Sequence, residues 1–306
     1  MSSAPVAVST VRRRGIEGRS NLAGWFFVSP AVLLFIVFIA GPFVAAMGLS
    51  LFSWDLLTPA RFVGMENFTR LFGDATVWLS LRNTFVFAFA SVVTHIVIGL
   101  ALAVAVNRPL HKVVQYVTRS AIFFPFLISW AAVSLLWKYV LDPDFGIASY
   151  YLGRIGITPP NWLIDPQWAL PALIGIDWWH TIGYTFVILL AGLQTVPGIY
   201  HEAAKIDGAN AWQRFWHVTL PIMAPTLVFA MIITFIGAFQ IFEPMRIITD
   251  GGPSDSTRSI VLYLYQQAFE SFQVGYASTI ALVVFAIVMI VTLLQLRLSR
   301  RWMGHD

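Results

Sequence analysis

The sequence predicts an all-α integral membrane protein with about six transmembrane helices, and three observations support this fold class. Hydrophobic residues make up 58% of the 306-residue chain and charged residues only 11%, well below the roughly 25% usual in soluble domains. The apolar residues occur in runs of about twenty residues, the length that crosses a hydrocarbon layer of roughly 30 Å. Lysine and arginine are also distributed unequally between the segments that connect these runs.

Six apolar runs are predicted to cross the membrane. In chain order they cover residues 25–47, 85–106, 121–139, 173–193, 225–242 and 278–296. The first run follows four arginines and in this respect resembles a signal peptide. Its apolar stretch is longer than the roughly 7–15 residues of such peptides, and no small-residue cleavage site follows. We therefore expect the first run to remain as a transmembrane helix.

The basic residues favour a cytoplasmic N-terminus. With that orientation the cytoplasmic segments carry twelve Lys and Arg against four Asp and Glu, whereas the opposite side carries seven against eleven. Cytoplasmic loops of membrane proteins are enriched in Lys and Arg. Six spans then predict a cytoplasmic tail over residues 1–23, one membrane domain over residues 24–298, and a second cytoplasmic tail over residues 299–306.

The composition also argues against several classes of function. The chain has no cysteine, which excludes disulfides, thiolate metal sites and a cysteine nucleophile. The basic residues lie at the ends of apolar runs and form no patch interleaved with aromatic residues, so we expect no nucleic-acid partner. We expect neither a metal site nor a bound cofactor in this chain.

A polar segment over residues 201–221 separates the fourth and fifth predicted spans. Residues 202–207 are good helix formers, Gly208 interrupts them, and residues 209–217 predict a second short helix rich in aromatic side chains. Two short helices bent at a glycine would form a compact cytoplasmic knob that a cytoplasmic partner could bind.

This segment resembles the Glu-Ala-Ala loop of the permeases of binding-protein-dependent ABC importers. In that loop Glu-Ala-Ala is followed after three residues by Gly and later by an aliphatic residue and Leu-Pro. Val218 stands where Ile is commoner, which is the only departure. The resemblance implies that the segment couples the permease to its ATPase through Glu202, Ala203, Ala204, Asp207, Gly208, Leu220 and Pro221.

The resemblance covers nearly the whole range from residue 24 to residue 297. It is carried by Phe124-Pro125-Phe126, residues 137–146, Gly251-Gly252-Pro253 and residues 272–277. These are similar to the sugar and glycerol-phosphate branch of the family, the maltose-type carbohydrate uptake transporter 1 group. The resemblance implies the type I importer fold with six helices.

The same resemblance implies a non-catalytic permease that forms half of the pathway for a sugar, polyol or glycerol phosphate. Its implied partners are a second, homologous permease in a heterodimer, two copies of a cytoplasmic ATPase, an extracytoplasmic solute-binding protein, and membrane lipid. ATP and Mg²⁺ would bind to the ATPase. The implied location is the cytoplasmic membrane of a bacterium or archaeon.

Polar residues within and beside the apolar spans are candidates for the substrate pathway. Asp177, His180 and Tyr184 can share one face of the fourth span with Thr181, and Trp178 adds an aromatic surface of the kind on which sugars stack. Gln240 and Glu243 lie near the outer end of the fifth span. Trp178 could instead be an interfacial anchor, and Gln240 and Glu243 could face water.

An ion-coupled secondary transporter and a membrane-embedded enzyme are the two alternatives to an ABC importer permease. An ion-coupled secondary transporter commonly has broken helices or embedded carboxylates, whereas no predicted span centre here holds an acid. A membrane-embedded enzyme would need a motif such as His-Glu-x-x-His or a nucleophile turn, and neither occurs. The chain also lacks the Gly-x4-Gly-Lys-Ser/Thr phosphate loop, so ATP hydrolysis is expected on a separate subunit.

Overall fold

The computed structural model describes residues 17–108 and 111–302. Most of the predicted N-terminal tail and the last four residues of the predicted C-terminal tail lie outside these ranges. Within them, five helices are long and apolar enough to cross a membrane, and a sixth span results if one strongly bent helix pair is counted. The six-helix fold class is therefore confirmed.

The first span is formed by two helices in line. Helix α1 (Glu17–Phe35) continues through a π-helical turn (Ile36–Ala40) into α2 (Gly41–Leu49). After it, β1 (Phe52–Ser53) pairs antiparallel with β2 (Arg61–Phe62). No side chain would fit at Gly275, since a Cβ there would lie 1.8 Å from the Phe52 carbonyl oxygen.

The second span is the longest helix within the residues that the structure describes. A short surface helix, α3 (Glu66–Gly73), precedes α4 (Ala75–Val106). Asp74 caps α4 by accepting the Thr76 amide at 2.9 Å, and its other oxygen accepts the hydroxyls of Tyr263 and Tyr276 at 2.7 and 2.6 Å. Although burial opposes ionisation, these hydrogen bonds hold the pKa of the Asp74 carboxyl below its usual value. The start of α4 is thus tied to the last part of the chain.

The third span is broken, and the prediction of one continuous helix over residues 121–139 is wrong. Helix α5 (Lys112–Phe123) passes into a 3-10 turn (Phe124–Leu127), and α6 (Trp130–Val140) follows after a break. The axis of α6 is bent by 96° from that of the preceding helical segment, Lys112–Leu127. Pro125 has no amide hydrogen for a continuing helix. Ile128 is extended, and Ser129 caps the new helix with its hydroxyl. Hydropathy alone does not register such a break, because every residue of the turn is apolar.

The remaining helices complete the bundle. They are α7 (Ile147–Arg154), α8 (Pro166–Gln194), α9 (Gly198–Ile206), α10 (Ala211–Arg214), α11 (Leu220–Phe239), α12 (Ile260–Tyr265) and α13 (Val274–Trp302). The prediction of a separate short helix over residues 209–217 is wrong. Helix α10 runs through a π-helical turn (Phe215–Thr219) into α11, so the fifth span is continuous over Ala211–Phe239. Pro221 lies in this continuous helix, two residues after the π-helical turn, and because it has no amide hydrogen it cannot donate a helical hydrogen bond there.

The main core lies where α4, α8, α11, α12 and α13 pack together. Its largest fully buried side chains include Phe87, Phe239 and Tyr276. A smaller apolar cluster, which includes Ala103, Phe186 and Met223, fills the other end of α4, α8 and α11. This bundle fixes α8 in place and presents the turn after α9 at its surface.

Candidate functional site

The turn between α9 and α10 explains the spacing of the Glu-Ala-Ala-x-x-x-Gly segment. Gly208 has a φ of +81°, a left-handed conformation that glycine adopts without strain. Its amide bonds to the Lys205 carbonyl at 3.0 Å, and the Ala209 amide bonds to the Ala204 carbonyl at 2.9 Å. This pair of hydrogen bonds is a Schellman motif. Gly208 is therefore the left-handed residue that follows the end of α9, and Ala204 provides the carbonyl that accepts the closing hydrogen bond.

The next helix begins two residues later with a capping box. The Asn210 side chain accepts the Gln213 amide at 2.9 Å, and the Gln213 side chain accepts the Asn210 amide at 2.8 Å. Arg214 closes the turn by donating to the Ala209 carbonyl at 2.6 Å. The bend between α9 and α10 is therefore set by local hydrogen bonds.

The turn presents both polar and apolar side chains to its surroundings. Among the predicted coupling residues, Glu202, Ala203, Asp207, Gly208 and Pro221 are exposed, and Ala204 and Leu220 are half-buried. Large apolar side chains beside them are also exposed: Ile199, Ile206, Trp212 and Trp216. This combination of a rigid bend and uncovered apolar side chains could form a contact surface for another protein.

A buried polar cluster joins α4 to α8. The Ser91 hydroxyl donates to Asp177 Oδ2 at 2.7 Å. His95 Nδ1 donates to the Ser91 carbonyl at 2.6 Å, and its Nε2 lies 2.7 Å from the Thr181 hydroxyl oxygen. Asp177 and His95 are both almost inaccessible. Asp177 is the twelfth residue of α8, so it lies deeper in the bundle than the predicted start of the fourth span implied.

The broken third span is held against α8 at its bend. His180 Nε2 donates to the Ile128 carbonyl at 2.9 Å, and the Trp130 ring meets the His180 ring edge-on at 4.2 Å. Phe126 stacks on Tyr184 with ring centroids 5.1 Å apart. His180 is buried, whereas Tyr184 is 36% exposed. Aromatic faces and hydrogen-bonding groups therefore meet at this bend.

The structure divides the six pathway candidates into two groups. Asp177 and His180 are buried between helices, and Trp178 is half-buried with its indole Nε1 enclosed and without a hydrogen-bond partner. Tyr184 is partly exposed, and Gln240 and Glu243 are exposed just after the C-terminal end of the fifth span. The side chains available to a solute in this conformation are thus Tyr184, Gln240 and Glu243.

Sequence reasoning did not identify Ser91 or Asp74 as organising residues. Ser91 is 86 positions from Asp177, and Asp74 is 202 positions from Tyr276. No local pattern connects residues so far apart, although the placement of Asp74 just before an apolar run was a signal for a helix cap. Within the described ranges, no group of three or more His, Asp or Glu residues could hold a metal ion.

Comparison with known proteins identifies the family. The model of the family described as binding-protein-dependent transport system inner membrane component matches residues 95–304, more than two thirds of the chain. The chain is 37% identical over 293 residues to the probable ABC transporter permease protein YesP of Bacillus subtilis, with 94% of each chain covered. These matches support a permease rather than an ion-coupled secondary transporter.

Two further relatives cover almost the full chain. The sulfoquinovosyl glycerol transport system permease protein SmoG of Agrobacterium fabrum is 32% identical, over 94% of this chain and 93% of the relative. The lactose transport system permease protein LacF of Rhizobium radiobacter is 34% identical, over 96% of this chain and 99% of the relative.

A solved structure supports the same fold. It is a chain of a bacterial alginate ABC transporter in complex with alginate pentasaccharide-bound periplasmic protein. The TM-score is 0.84 and the identity 20%, and the match covers 96% of this chain and all of the other. At that identity the likeness shows the type I importer fold alone. The chain belongs to the family of binding-protein-dependent transport system inner membrane components, and it is a non-catalytic permease subunit of an ABC importer.

Proposed function

We propose that this chain forms half of a translocation pathway for a sugar or a glycoside. The observation that carries this proposal is the near full-length similarity to permeases named for lactose and for sulfoquinovosyl glycerol transport. Both of those solutes combine hydroxyl groups with sugar C–H faces. A pathway for them needs aromatic surfaces and hydrogen-bonding groups, and Tyr184, Phe126 and Gln240 offer both.

The substrate class is tested with the complete transporter. Its binding protein is titrated with disaccharides, glycosyl glycerols, glycerol 3-phosphate and methionine, and each bound ligand is then tested for stimulation of ATP hydrolysis by the reconstituted complex. We expect stimulation by a saccharide-containing ligand. Stimulation by methionine alone would contradict the sugar assignment.

The pathway residues are tested by substitution. Tyr184→Ala and Gln240→Ala are expected to lower the rate of uptake without changing the yield of assembled complex, because both side chains are exposed and not part of the buried core. Tyr116→Ala is a matched control, since Tyr116 is an exposed tyrosine outside the proposed pathway. Parental uptake by both pathway variants would mean that these residues only pack against neighbouring helices.

The subunit arrangement extends the proposal. A second, homologous permease would complete the pathway as a heterodimer, and two copies of a cytoplasmic ATPase, which bind ATP and Mg²⁺, would dock on the turn between α9 and α10. Support comes from the exposed Glu202 and Ala203 and from the apolar side chains beside them. The excess of Lys and Arg supports a cytoplasmic location for this turn and for both termini, in the cytoplasmic membrane of a bacterium or archaeon.

Asp177 and His180 are not accessible to a solute in this conformation, unlike Tyr184 and Gln240. His180 is buried against the bend of the third span and Asp177 between α4 and α8. A solute would reach each of them only if the contact that covers it opened. His180 contacts the Ile128 carbonyl at that bend. Trp178 lies between these two residues on α8.

A further inference from the structure

Helix α7 has an inner face that packs against the protein and an outer face that is exposed although it is apolar. Its inner face is formed by Ala148, Ser149 and Leu152, and the Ser149 hydroxyl donates to the Asp142 carbonyl at 3.1 Å. Its outer face carries Ile147, Tyr150 and Tyr151, which are 60%, 56% and 65% exposed, and Ile155, the residue that caps the end of the helix, is 70% exposed. A surface helix of a globular protein normally turns polar residues outward, so the outer face of α7 is not suited to water.

Helix α3 provides a comparison within the same chain. It has the same length of eight residues, and it lies on the same side of the membrane, because α3 follows the first span and α7 follows the third. Helix α3 buries Asn67 and Leu71, and its exposed side chains are mainly polar: Glu66, Thr69 and Arg70, with Phe72 as the single large apolar residue exposed on this helix. The apolar outer face of α7 is therefore not a general property of the loops on this side.

The surroundings of α7 continue its apolar surface. Phe145, just before the helix, is 91% exposed, and Leu135, Leu136 and Tyr139 are exposed on α6, the helix that leads to it. A cleft of about 670 Å³ beside α7 is lined by aromatic and proline side chains that include Phe145, Tyr150 and Pro159, and Asp144 and Ser149 add polar groups to it. This surface is continuous with the apolar side of a membrane-spanning helix.

The polar groups at the edge of this face fit a lipid headgroup region. Arg154 donates to the Tyr150 hydroxyl at 2.6 Å and lies 5.1 Å from the centre of the Tyr150 ring. Tyrosine rings concentrate at the boundary between hydrocarbon and headgroups, and an arginine there can place its stem on apolar atoms and its charge in the polar layer. We propose that α7 is an interfacial helix whose outer face binds the phospholipids of the outer leaflet.

The proposal can be tested by site-directed spin labelling, because the chain has no native cysteine. Single cysteines replace Tyr151 and Ile155 on α7 and, as a matched control, Thr69 on α3. The assembled transporter is placed in phospholipid nanodiscs, with and without its binding protein. Collision rates of each label are measured with oxygen, which concentrates in the bilayer, and with a water-soluble nickel chelate.

We expect the ratio of oxygen to nickel collisions to be several-fold higher at positions 151 and 155 than at position 69, with and without the binding protein. Labels at 151 and 155 that collide poorly with both reagents would instead identify a protein interface and overturn the proposal. A loss of collisions on addition of the binding protein would assign the face to that partner. A ratio equal to that at position 69 would show that α7 faces water. Two label positions ensure that a defect of one variant does not decide the result.

Discussion

Gly208 shows how one residue can account for a sequence motif. The Schellman motif needs a left-handed residue four positions after Ala204, because only then does the Ala209 amide reach the Ala204 carbonyl. A Cβ at Gly208 would meet no atom within 4 Å. The requirement for glycine within this chain is therefore conformational and not a matter of space.

Gly208→Ala is expected to destabilise the turn by about 1 kcal/mol, because an L-residue is strained in the left-handed region. Gly208→Asn should cost less, since asparagine tolerates this conformation. Gly198→Ala is the control: Gly198 is the first residue of α9, the helix that Gly208 terminates, it has no positive φ, and no atom would meet its Cβ.

The measurement for these three variants is binding-protein-stimulated ATP hydrolysis together with co-purification of the ATPase. We expect the largest loss of stimulated ATP hydrolysis and ATPase co-purification for Gly208→Ala and a smaller loss for Gly208→Asn. The control, Gly198→Ala, should keep the parental values. Equal activity of all three variants would show that the bend does not matter for coupling.

At the scale of elements, the broken third span is the main departure from what the sequence predicts. Residues 121–139 form one apolar run, and the hydropathy pattern cannot distinguish a straight helix from two helices joined by an apolar turn. Pro125 and Ser129 were the available signals, as a helix breaker and a helix cap. Secondary transporters commonly have broken helices, and the burial of Asp177 within α8 removes the argument that no span holds an embedded acid. The distinction from a secondary transporter therefore rests on the family match.

Two glycines of α8 test how the bend is held. A Cβ at Gly183 would lie 2.5 Å from the Ile122 carbonyl oxygen and 2.8 Å from the Phe123 Cα, which are backbone atoms of the third span. Gly183→Ala should therefore destabilise the protein by about 1–3 kcal/mol, the usual cost of overpacking. A Cβ at Gly175 in the same helix would meet no atom within 4 Å, and alanine favours a helix by about 1 kcal/mol relative to glycine.

The two alanine variants are compared by thermal unfolding of the purified complex. We expect a lower midpoint for Gly183→Ala and an unchanged or higher midpoint for Gly175→Ala. If both variants unfold at the parental temperature, the third span does not pack on α8 as closely as the structure indicates.

At the scale of the whole molecule, the sequence predicts the number of spans and the family but not the contacts between spans. Length, hydropathy and charge are summed along the chain, so they identify the spans even when their ends are several residues off. The cluster of Ser91, His95 and Asp177 depends on which faces of α4 and α8 meet. Lipid-facing and helix-facing positions of a span are both apolar, so its hydropathy gives little information about that choice.

The charge asymmetry predicts a cytoplasmic N-terminus, and this orientation can be tested in the cysteine-free sequence. Asn107→Cys places a thiol between the second and third spans, and Ser254→Cys places one between the fifth and sixth; both residues are exposed. Neither substitution changes the Lys and Arg count. Membrane vesicles of both orientations are treated with an impermeant maleimide. Residue 254 should react in right-side-out vesicles and residue 107 in inside-out vesicles. The reverse pattern would place the turn between α9 and α10 outside the cell, away from any ATPase.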